Sequence, residues 1–290
     1  MMSKKSMKKS ESNDFEGVIE MKIGIIGYGS MGKMLYEKIS RSEELSQIEL
    51  FVSNRTKEKV SHLADCCTVC DSNKELASLA DIIFLCVRPV DMKTVVAEIK
   101  DSLSPKSLLV SLNGSICFAQ LESVCKNKIA KVIPSVTAEV NQSQTLVCYN
   151  ELVSEEEKTA LTMILQCLGN VIELPEEEIG MGSELVSCMP GFIAAIFHEI
   201  CIAAKPHTDI PEEEIIRMVL NTMVGTGKLM LEKNYSFENV VSRVATKGGI
   251  TEEGTKVIHE QLPEVIDELF NRTLEKRRQT TINAQKSFTE

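Results

Sequence analysis

The first half of the chain alternates short apolar segments with helical patterns. KIGIIG at residues 22–27 is a mainly apolar run that predicts a buried strand, and an amphipathic helix is predicted at 30–40. Further strands are predicted at 48–53, around 69, 81–87, 108–112, 129–134, 145–149 and 170–174, and further helices from about 56, at 73–79 and at 155–168. Strands that alternate with helices in this way are typical of a parallel sheet covered by helices.

From Glu176 onward the apolar residues recur with helical spacing only. Helices are predicted at 176–187, 190–204, 211–233, 237–245, 251–259 and 262–287. Pro190, Pro211 and Pro263 fall in the first turn of predicted helices, a position that tolerates a missing N–H. Helices of this length need a partner that covers their apolar faces, so we expect association into a homodimer or a higher homo-oligomer.

The two patterns divide the chain into parts. We predict an α/β fold class, with an N-terminal Rossmann domain and its doubly wound sheet at 21–175. An all-α C-terminal domain for dimerisation and substrate binding follows at 176–290. Residues 1–20 carry four lysines but no apolar stretch behind them, which predicts a disordered tail rather than a secretory signal.

Charge and composition exclude several classes of partner. The net charge is −10 and no basic cluster occurs beyond the first residues, which argues against nucleic acid. No apolar run approaches the roughly 20 residues that span a bilayer, so no membrane partner is expected. The 10 cysteines predict reduced thiols in a cytoplasmic protein. His62, Cys66, Cys67 and Cys70 lack the spacing of a zinc site, so no metal is predicted.

The strongest motif lies between the first strand and its helix and reads Gly27-Tyr28-Gly29-Ser30-Met31-Gly32. This GxGxxG pattern predicts a dinucleotide site when a strand precedes it and a helix follows. Gly27 would form the tight turn, Gly29 would let the pyrophosphate approach, and Gly32 would let helix and strand pack closely. The alternative is a glycine-rich turn without a ligand.

The end of the second strand bears on the choice of cofactor. NAD enzymes usually place Asp or Glu there, to accept hydrogen bonds from the ribose, whereas this chain has Ser53, Asn54 and Arg55. A guanidinium suits a 2′-phosphate, so we predict NADP over NAD, with NAD still possible. The alternative role for Arg55 is a cap on a solvated helix start.

Several motifs together resemble those of the pyrroline-5-carboxylate reductases. They follow in order from Met21 to about Leu262: GYGSMG, SNR, SNKE at 72–75, DIIFLCVRP at 81–89, SLNGSI at 111–116, KVIPS at 131–135, PEE at 175–177, VSCMPGF at 186–192 and VATKGGITEEG at 244–254. The resemblance implies that NAD(P)H reduces a small cyclic imino acid, pyrroline-5-carboxylate, to proline.

The resemblance also implies roles for individual residues. Gly248 and Gly249 take the substrate carboxylate, Thr251 is the catalytic hydroxyl near the ring nitrogen, and Glu176 and Cys188 contact substrate. The residues predicted to bind the cofactor are Gly27, Tyr28, Gly29, Ser30, Met31, Gly32, Ser53, Asn54, Arg55, Asn73, Val87, Arg88, Pro89 and Gly114. The alternative for the Gly-Gly loop is a plain helix start with Thr251 as its cap.

The substrate half departs from the family pattern more than the cofactor half. Where the family reads S-G-S-G-P, this chain has VSCMP at 186–190, and Lys247 and Ser135 replace a usual proline and asparagine. This combination resembles a divergent branch encoded in late-competence operons of Gram-positive bacteria. Two alternatives therefore stay open: a non-catalytic or regulatory protein on the same fold, and a dehydrogenase of the β-hydroxyacid type.

Overall fold

A single eight-stranded sheet organises the N-terminal part of this computed structural model, which describes residues 21–289. The predicted tail at 1–20 lies outside the described residues. The strands are β1 (Lys22–Ile26), β2 (Glu49–Ser53), β3 (Thr68–Val69), β4 (Ile82–Leu85), β5 (Leu108–Ser111), β6 (Lys128–Ile133), β7 (Ser143–Tyr149) and β8 (Gly169–Glu173). Their order is β3-β2-β1-β4-β5-β6-β7-β8. The first six are parallel, whereas β7 is antiparallel to β6 and parallel to β8.

Helices cover both faces of this sheet. The helices are α1 (Ser30–Arg41), α2 (Asn73–Leu79), α3 (Pro89–Ile99), α4 (Phe118–Glu122) and α5 (Glu155–Leu165). Leu35 of α1 and Leu161 of α5 belong to one apolar core, while Leu76 of α2 and Val96 of α3 belong to a second core. Every residue of β4 and β5 is buried, as expected for parallel strands covered on both faces. The predicted doubly wound sheet is confirmed.

The C-terminal part is helical, as predicted. It contains α6 (Ile179–Ser183), a π-helical turn (Glu184–Cys188), α7 (Met189–Ala204), α8 (Glu212–Lys233), α9 (Phe237–Val244) and α10 (Ile250–Thr289). The last turns of α10 return to the sheet, where Ala284 is buried in the same core as α2 and α3. Helix α6 packs on the sheet through the buried Ile179, whereas α7 to α9 and the first part of α10 extend beyond the core of this protomer.

The helix predicted from about Thr56 is wrong. The chain forms two 3₁₀ turns there, at Lys57–Lys59 and Ser61–Leu63. The buried residues of this segment are Val60 and Leu63, three positions apart. A 3₁₀ helix has about three residues per turn, so this spacing places both side chains on the core side without a longer amphipathic face.

The helix break predicted before Pro263 is also wrong. Pro263 lies inside the 40-residue helix α10. The residues on either side of it are exposed, so water can satisfy the carbonyl that proline leaves without a donor. Likewise the helix from Glu176 does not end before Pro190, because the π-helical turn passes directly into α7.

The C-terminal helices leave an unusual amount of apolar surface uncovered. Between Leu185 and Asn283, all of which the structure describes, only Ile215 is buried. The stretch Glu176–His207 has a window of mean hydropathy 1.8 with none of it buried, so by length and composition it could cross a membrane. The expectation that no apolar run is long enough to span a bilayer is therefore wrong. A single such helix is weak evidence for a membrane, because helices that pack against protein pass the same test.

Candidate cofactor and substrate sites

The glycine turn after β1 has the geometry of a phosphate cradle. Gly27 adopts a φ of +99°, and a Cβ there would lie 2.8 Å from the carbonyl oxygen of Cys86. A Cβ on Gly32 would lie 1.9 Å from the carbonyl oxygen of Gly27, so helix α1 approaches the turn as closely as only glycine allows. Gly29 differs, because a Cβ there would meet nothing within 4 Å. Two glycines are thus required by the fold and the third faces open space.

The start of α1 is suited to an anion. Gly29 is the N-cap, no side chain caps the helix, and no acidic residue lies in its first turn. The first N–H groups of an α-helix have no partner within the helix and carry the positive end of its dipole. A pyrophosphate placed against Gly29 would satisfy these donors, so the residues present fit a dinucleotide.

A cavity of about 610 Å³ opens where the strand order reverses, at the carboxyl ends of β1, β2 and β4. Nine of the predicted cofactor residues line it: Gly27, Tyr28, Gly29, Ser53, Asn54, Arg55, Asn73, Val87 and Arg88. Ser30, Met31 and Gly32 lie in α1 directly behind it, Pro89 begins α3, and Gly114 follows β5. The structure therefore brings most of the predicted residues together around one groove.

The loop after β2 leaves Arg55 and Lys59 as available cations at the edge of the groove. Asn54 supports the glycine turn, because its Oδ1 accepts the Tyr28 N–H at 3.0 Å and its Nδ2 donates to the Thr56 carbonyl at 2.8 Å. Lys57 Nζ donates to the Cys70 carbonyl at 2.8 Å. Arg55 is exposed, and its side chain has no polar partner within the described residues. Its guanidinium is therefore free to meet a ligand.

Two successive hydrogen bonds connect β2, α2 and α3 along the groove. Ser53 Oγ donates to Asn73 Oδ1 at 2.8 Å, and Asn73 Nδ2 donates to Glu98 Oε2 at 2.9 Å. Glu98 lies on α3 and lines the cavity. No local sequence pattern identifies Glu98, because its place in the groove depends on how α3 packs beside α2.

A second group of side chains lies near the carboxyl end of β5. Arg277 of α10 donates from Nε and Nη2 to Glu184 Oε1 at 2.9 and 2.7 Å. Its Nη1 would lie 3.6 Å from a Cβ on Gly114, and Nη2 lies 3.8 Å from Cys188 Sγ. Burial, and then the nearby Glu184 carboxylate, raise the pKa of the Cys188 thiol, which therefore stays protonated. Sequence reasoning missed both Glu184 and Arg277.

Glu176 is anchored to the sheet in this structure. Its Oε1 accepts from Lys131 Nζ at 2.8 Å and from the Phe118 N–H at 2.9 Å. Lys131 is only 3% exposed, so this ion pair is largely shielded from water. The side chain lies near Phe118 of α4, and its predicted contact with substrate stays a prediction.

The Gly-Gly loop lies far from these groups within one protomer. Gly248 has a φ of +71° and its N–H donates to the Glu252 carboxylate, while the Gly249 N–H donates to the Thr246 carbonyl at 2.8 Å. Thr251 and Arg277 are both on α10, so at 1.5 Å per residue they are about 39 Å apart. One chain therefore does not bring Thr251 to Cys188, which lies beside Arg277.

Two family models match separate parts of the chain. Residues 22–114 match the description "NADP oxidoreductase coenzyme F420-dependent". Residues 176–280 match "Pyrroline-5-carboxylate reductase dimerisation". The first match covers the strands and loops that form the groove, and the second covers the uncovered helices.

Curated relatives align over most of the chain. Pyrroline-5-carboxylate reductase 3 of Bacillus subtilis is 37% identical over 257 residues, 88% of this chain and 94% of the relative. ComE operon protein 4 of the same organism is 28% identical over 271 residues, 92% and 99% of the two chains. The pyrroline-5-carboxylate reductase of Escherichia coli is 29% identical over 247 residues, 84% and 91%.

Solved structures share the fold. The 1-pyrroline-5-carboxylate reductase of Streptococcus pyogenes matches with a TM-score of 0.79 at 20% identity, covering 90% of this chain and 99% of that one. The Plasmodium falciparum pyrroline carboxylate reductase with NADP bound matches with a TM-score of 0.80 at 23% identity, covering 91% and 100%.

These findings confirm the resemblance seen in the motifs, including the similarity to a late-competence relative. They also confirm the predicted class, an NAD(P)-dependent oxidoreductase that acts on a C=N bond. With a relative that is 37% identical over 94% of its length, the chain belongs to the pyrroline-5-carboxylate reductase family.

Proposed function

We propose that this protein reduces pyrroline-5-carboxylate, or a close cyclic imino acid, to proline with NADPH. The observation that carries the proposal is the uncapped start of α1 at Gly29, which opens into a groove lined by nine residues of the expected cofactor site. The 37% identity to a curated reductase supports the same chemistry. The cofactor supplies the hydride, and the chain supplies orientation and a proton.

The preference for NADP rests on the end of β2. No acidic side chain follows Ser53 directly, and Arg55 presents a free guanidinium to the groove. Arginine binds phosphate through parallel N–H donors, which suits a 2′-phosphate. A family relative of known structure holds NADP, which supports this choice.

The active form is a homodimer in this proposal. Thr251 lies about 39 Å along α10 from Arg277, so the Gly-Gly loop reaches a cofactor groove only in a second copy. The apolar face of α7 is uncovered in one protomer, and the matching family model is named for dimerisation. A second copy would bury this face, which also explains a helix of mean hydropathy 1.8 without any membrane.

The loop chemistry follows from its residue types. The Gly248 and Gly249 N–H groups lie at a helix start, a place suited to a carboxylate. The substrate carboxylate would replace Glu252 as the acceptor at Gly248 and the Thr246 carbonyl as the acceptor at Gly249. The Thr251 hydroxyl can then hydrogen-bond the ring nitrogen while carbon accepts the hydride. Cys188, a neutral thiol that lies with Gly114 near the Arg277 guanidinium, would border the ring from the other copy.

The test measures NADPH oxidation with pyrroline-5-carboxylate at neutral pH. Thr251→Ala is expected to lower kcat by about a hundredfold, since it removes the group near the reacting nitrogen. Thr255→Ala is the matched control, because Thr255 lies one turn further along α10 and donates only to the Glu252 carbonyl at 3.0 Å. Equal activity of the two variants would contradict the role of Thr251.

A second candidate is a regulatory protein that binds the cofactor without turnover. The observation that favours it is the segment 184–189, where the buried Glu184 and the larger Cys188 and Met189 stand in a region that is rich in glycine in the family. The 28% identity to ComE operon protein 4 over 99% of that protein points the same way. Tight NADPH binding without turnover of any cyclic imino acid would favour this function over the reductase.

We also propose a cytoplasmic location. All 10 cysteines lie within the described residues and are free thiols, including the exposed Cys66. Free thiols on this scale are typical of a reducing compartment.

A further inference from the structure

Glu98 occupies a place in the groove that the proposed cofactor chemistry does not use. NAD-binding Rossmann proteins commonly hold the adenosine ribose with an acid at the end of the second strand. Here that strand ends in Ser53, and Asn54 is committed to Tyr28 and Thr56. We propose that Glu98 of α3 supplies this missing carboxylate, and that it sets the ratio of NADH to NADPH binding in opposition to Arg55. The inference rests on the proposed cofactor site.

The position of Glu98 follows from its contacts. Two hydrogen bonds connect its carboxylate to the last residue of β2: Asn73 Nδ2 donates to Glu98 at 2.9 Å, and Ser53 Oγ donates to Asn73 Oδ1 at 2.8 Å. Asn73, Arg55 and Glu98 all line the same cavity of about 610 Å³. The carboxylate is thus delivered to the end of β2 from a helix rather than from the strand itself.

Its charge is less neutralised than that of another acid in the groove. Asp91 pairs with Arg88 at 2.9 Å, whereas no cation among the described residues forms an ion pair with Glu98. Asp71 also lines the cavity but is an exposed residue. Glu98 is half-buried and bonded to Asn73, which fixes both its orientation and that of the amide.

The consequence for the two cofactors is opposite. A carboxylate accepts hydrogen bonds from a ribose hydroxyl, which stabilises NADH. The same carboxylate repels a 2′-phosphate, which destabilises bound NADPH. Arg55 has the opposite effect, because it favours NADPH. Together Glu98 and Arg55 therefore set the ratio of NADH affinity to NADPH affinity.

Fluorescence titration of NADPH and of NADH measures this balance directly on the full-length protein. Glu98→Gln keeps an oxygen that accepts from Asn73 and removes the charge. At low salt we expect the ratio of the NADH Kd to the NADPH Kd to rise about fivefold, and the effect to shrink in high salt because exposed charges are screened. Asp101→Asn is the matched control, since it removes one exposed acid just after α3 that does not line the cavity.

Each outcome decides a separate point. A ratio in Glu98→Gln that stays within twofold of the wild type and of Asp101→Asn overturns the inference while leaving the proposed function intact. A wild-type protein that binds neither nucleotide overturns the proposed function as well. A shift of equal size in Asp101→Asn also overturns the inference, because it shows an effect of total charge alone.

Discussion

Arg277 Nη2 lies 2.7 Å from Glu184 Oε1, although 93 positions separate the two residues along the chain. The Glu184 side chain is 2% exposed and the Arg277 side chain 21% exposed. The pair therefore joins the C-terminal part of α10 to the π-helical turn after α6, close to the predicted cofactor residue Gly114.

Removing one member of this pair is expected to cost stability. Glu184→Ala leaves a mostly buried guanidinium unpaired, which costs about 3 kcal/mol in the free energy of unfolding. Urea unfolding at one fixed protein concentration measures this loss. Glu275→Ala is the control, because Glu275 pairs with Arg278 at 2.7 Å on an exposed surface, where water and salt screen the pair and its loss should change stability little. Equal losses for the two variants would contradict the prediction.

The glycines of the turn are expected to separate folding from binding. Gly32→Ala places a methyl 1.9 Å from the Gly27 carbonyl, so both the Tm of the free protein and NADPH affinity should fall. Gly29→Ala meets nothing within 4 Å, so the Tm should hold while NADPH affinity falls. Thermal unfolding and fluorescence titration check the two properties. A stable Gly32→Ala variant that binds NADPH normally would show that the turn is not so constrained.

Arg55→Asp should reverse the cofactor preference. The change removes the free guanidinium and places an acid near the end of β2, so we expect NADPH to bind at least about tenfold more weakly. NADH affinity should hold or rise, because NADH lacks the 2′-phosphate and an acid near this strand end can accept hydrogen bonds from its ribose. Arg41→Asp, an equal change of charge at the exposed end of α1, is the control. Unchanged NADPH affinity in Arg55→Asp would refute the role given to Arg55.

A shared active site predicts complementation between defective chains. Thr251→Ala lacks the hydroxyl proposed to contact the substrate, and Gly29→Glu lacks a usable cofactor cradle. Each variant alone should therefore be nearly inactive. If Thr251 serves the groove of the other copy, dimers formed by unfolding and refolding the two variants together regain one intact site in each mixed dimer. Random pairing then gives about a quarter of wild-type activity. No recovery, although mass spectrometry shows mixed dimers, would place Thr251 in its own chain's site.

The elements that could be predicted from the sequence are those determined by local pattern. The buried run at β1 and the spacing of Gly27, Gly29 and Gly32 identify the cofactor cradle, because turn geometry restricts position 27 to glycine and close packing restricts position 32. The segment after Thr56 could not be predicted correctly, since only Val60 and Leu63 are buried there and a short apolar pair fits several structures.

Contacts between distant segments could not be read from local pattern. Glu98 meets Asn73 because α3 packs beside α2, and the sequence analysis assigned no helix at Pro89–Ile99. Arg277 meets Glu184 because the 40-residue helix α10 continues unbroken past Pro263 and returns to the sheet, and the expected break before Pro263 concealed this. In both cases the partner is chosen by tertiary packing, which periodicity does not encode.

In the proposed dimer, helix α10 connects the core of one subunit to the active site of the other. In that dimer its first turn would bring Thr251 to the groove of the other subunit, while its last turns lie in the core of its own sheet through Ala284. A substitution that tilts the helix near Ala284 would therefore displace a reacting group in the other molecule and leave the chain that carries it with an intact site. In a cell that expresses a substituted and a wild-type allele, the substitution would therefore impair the active site of the wild-type chain in mixed dimers.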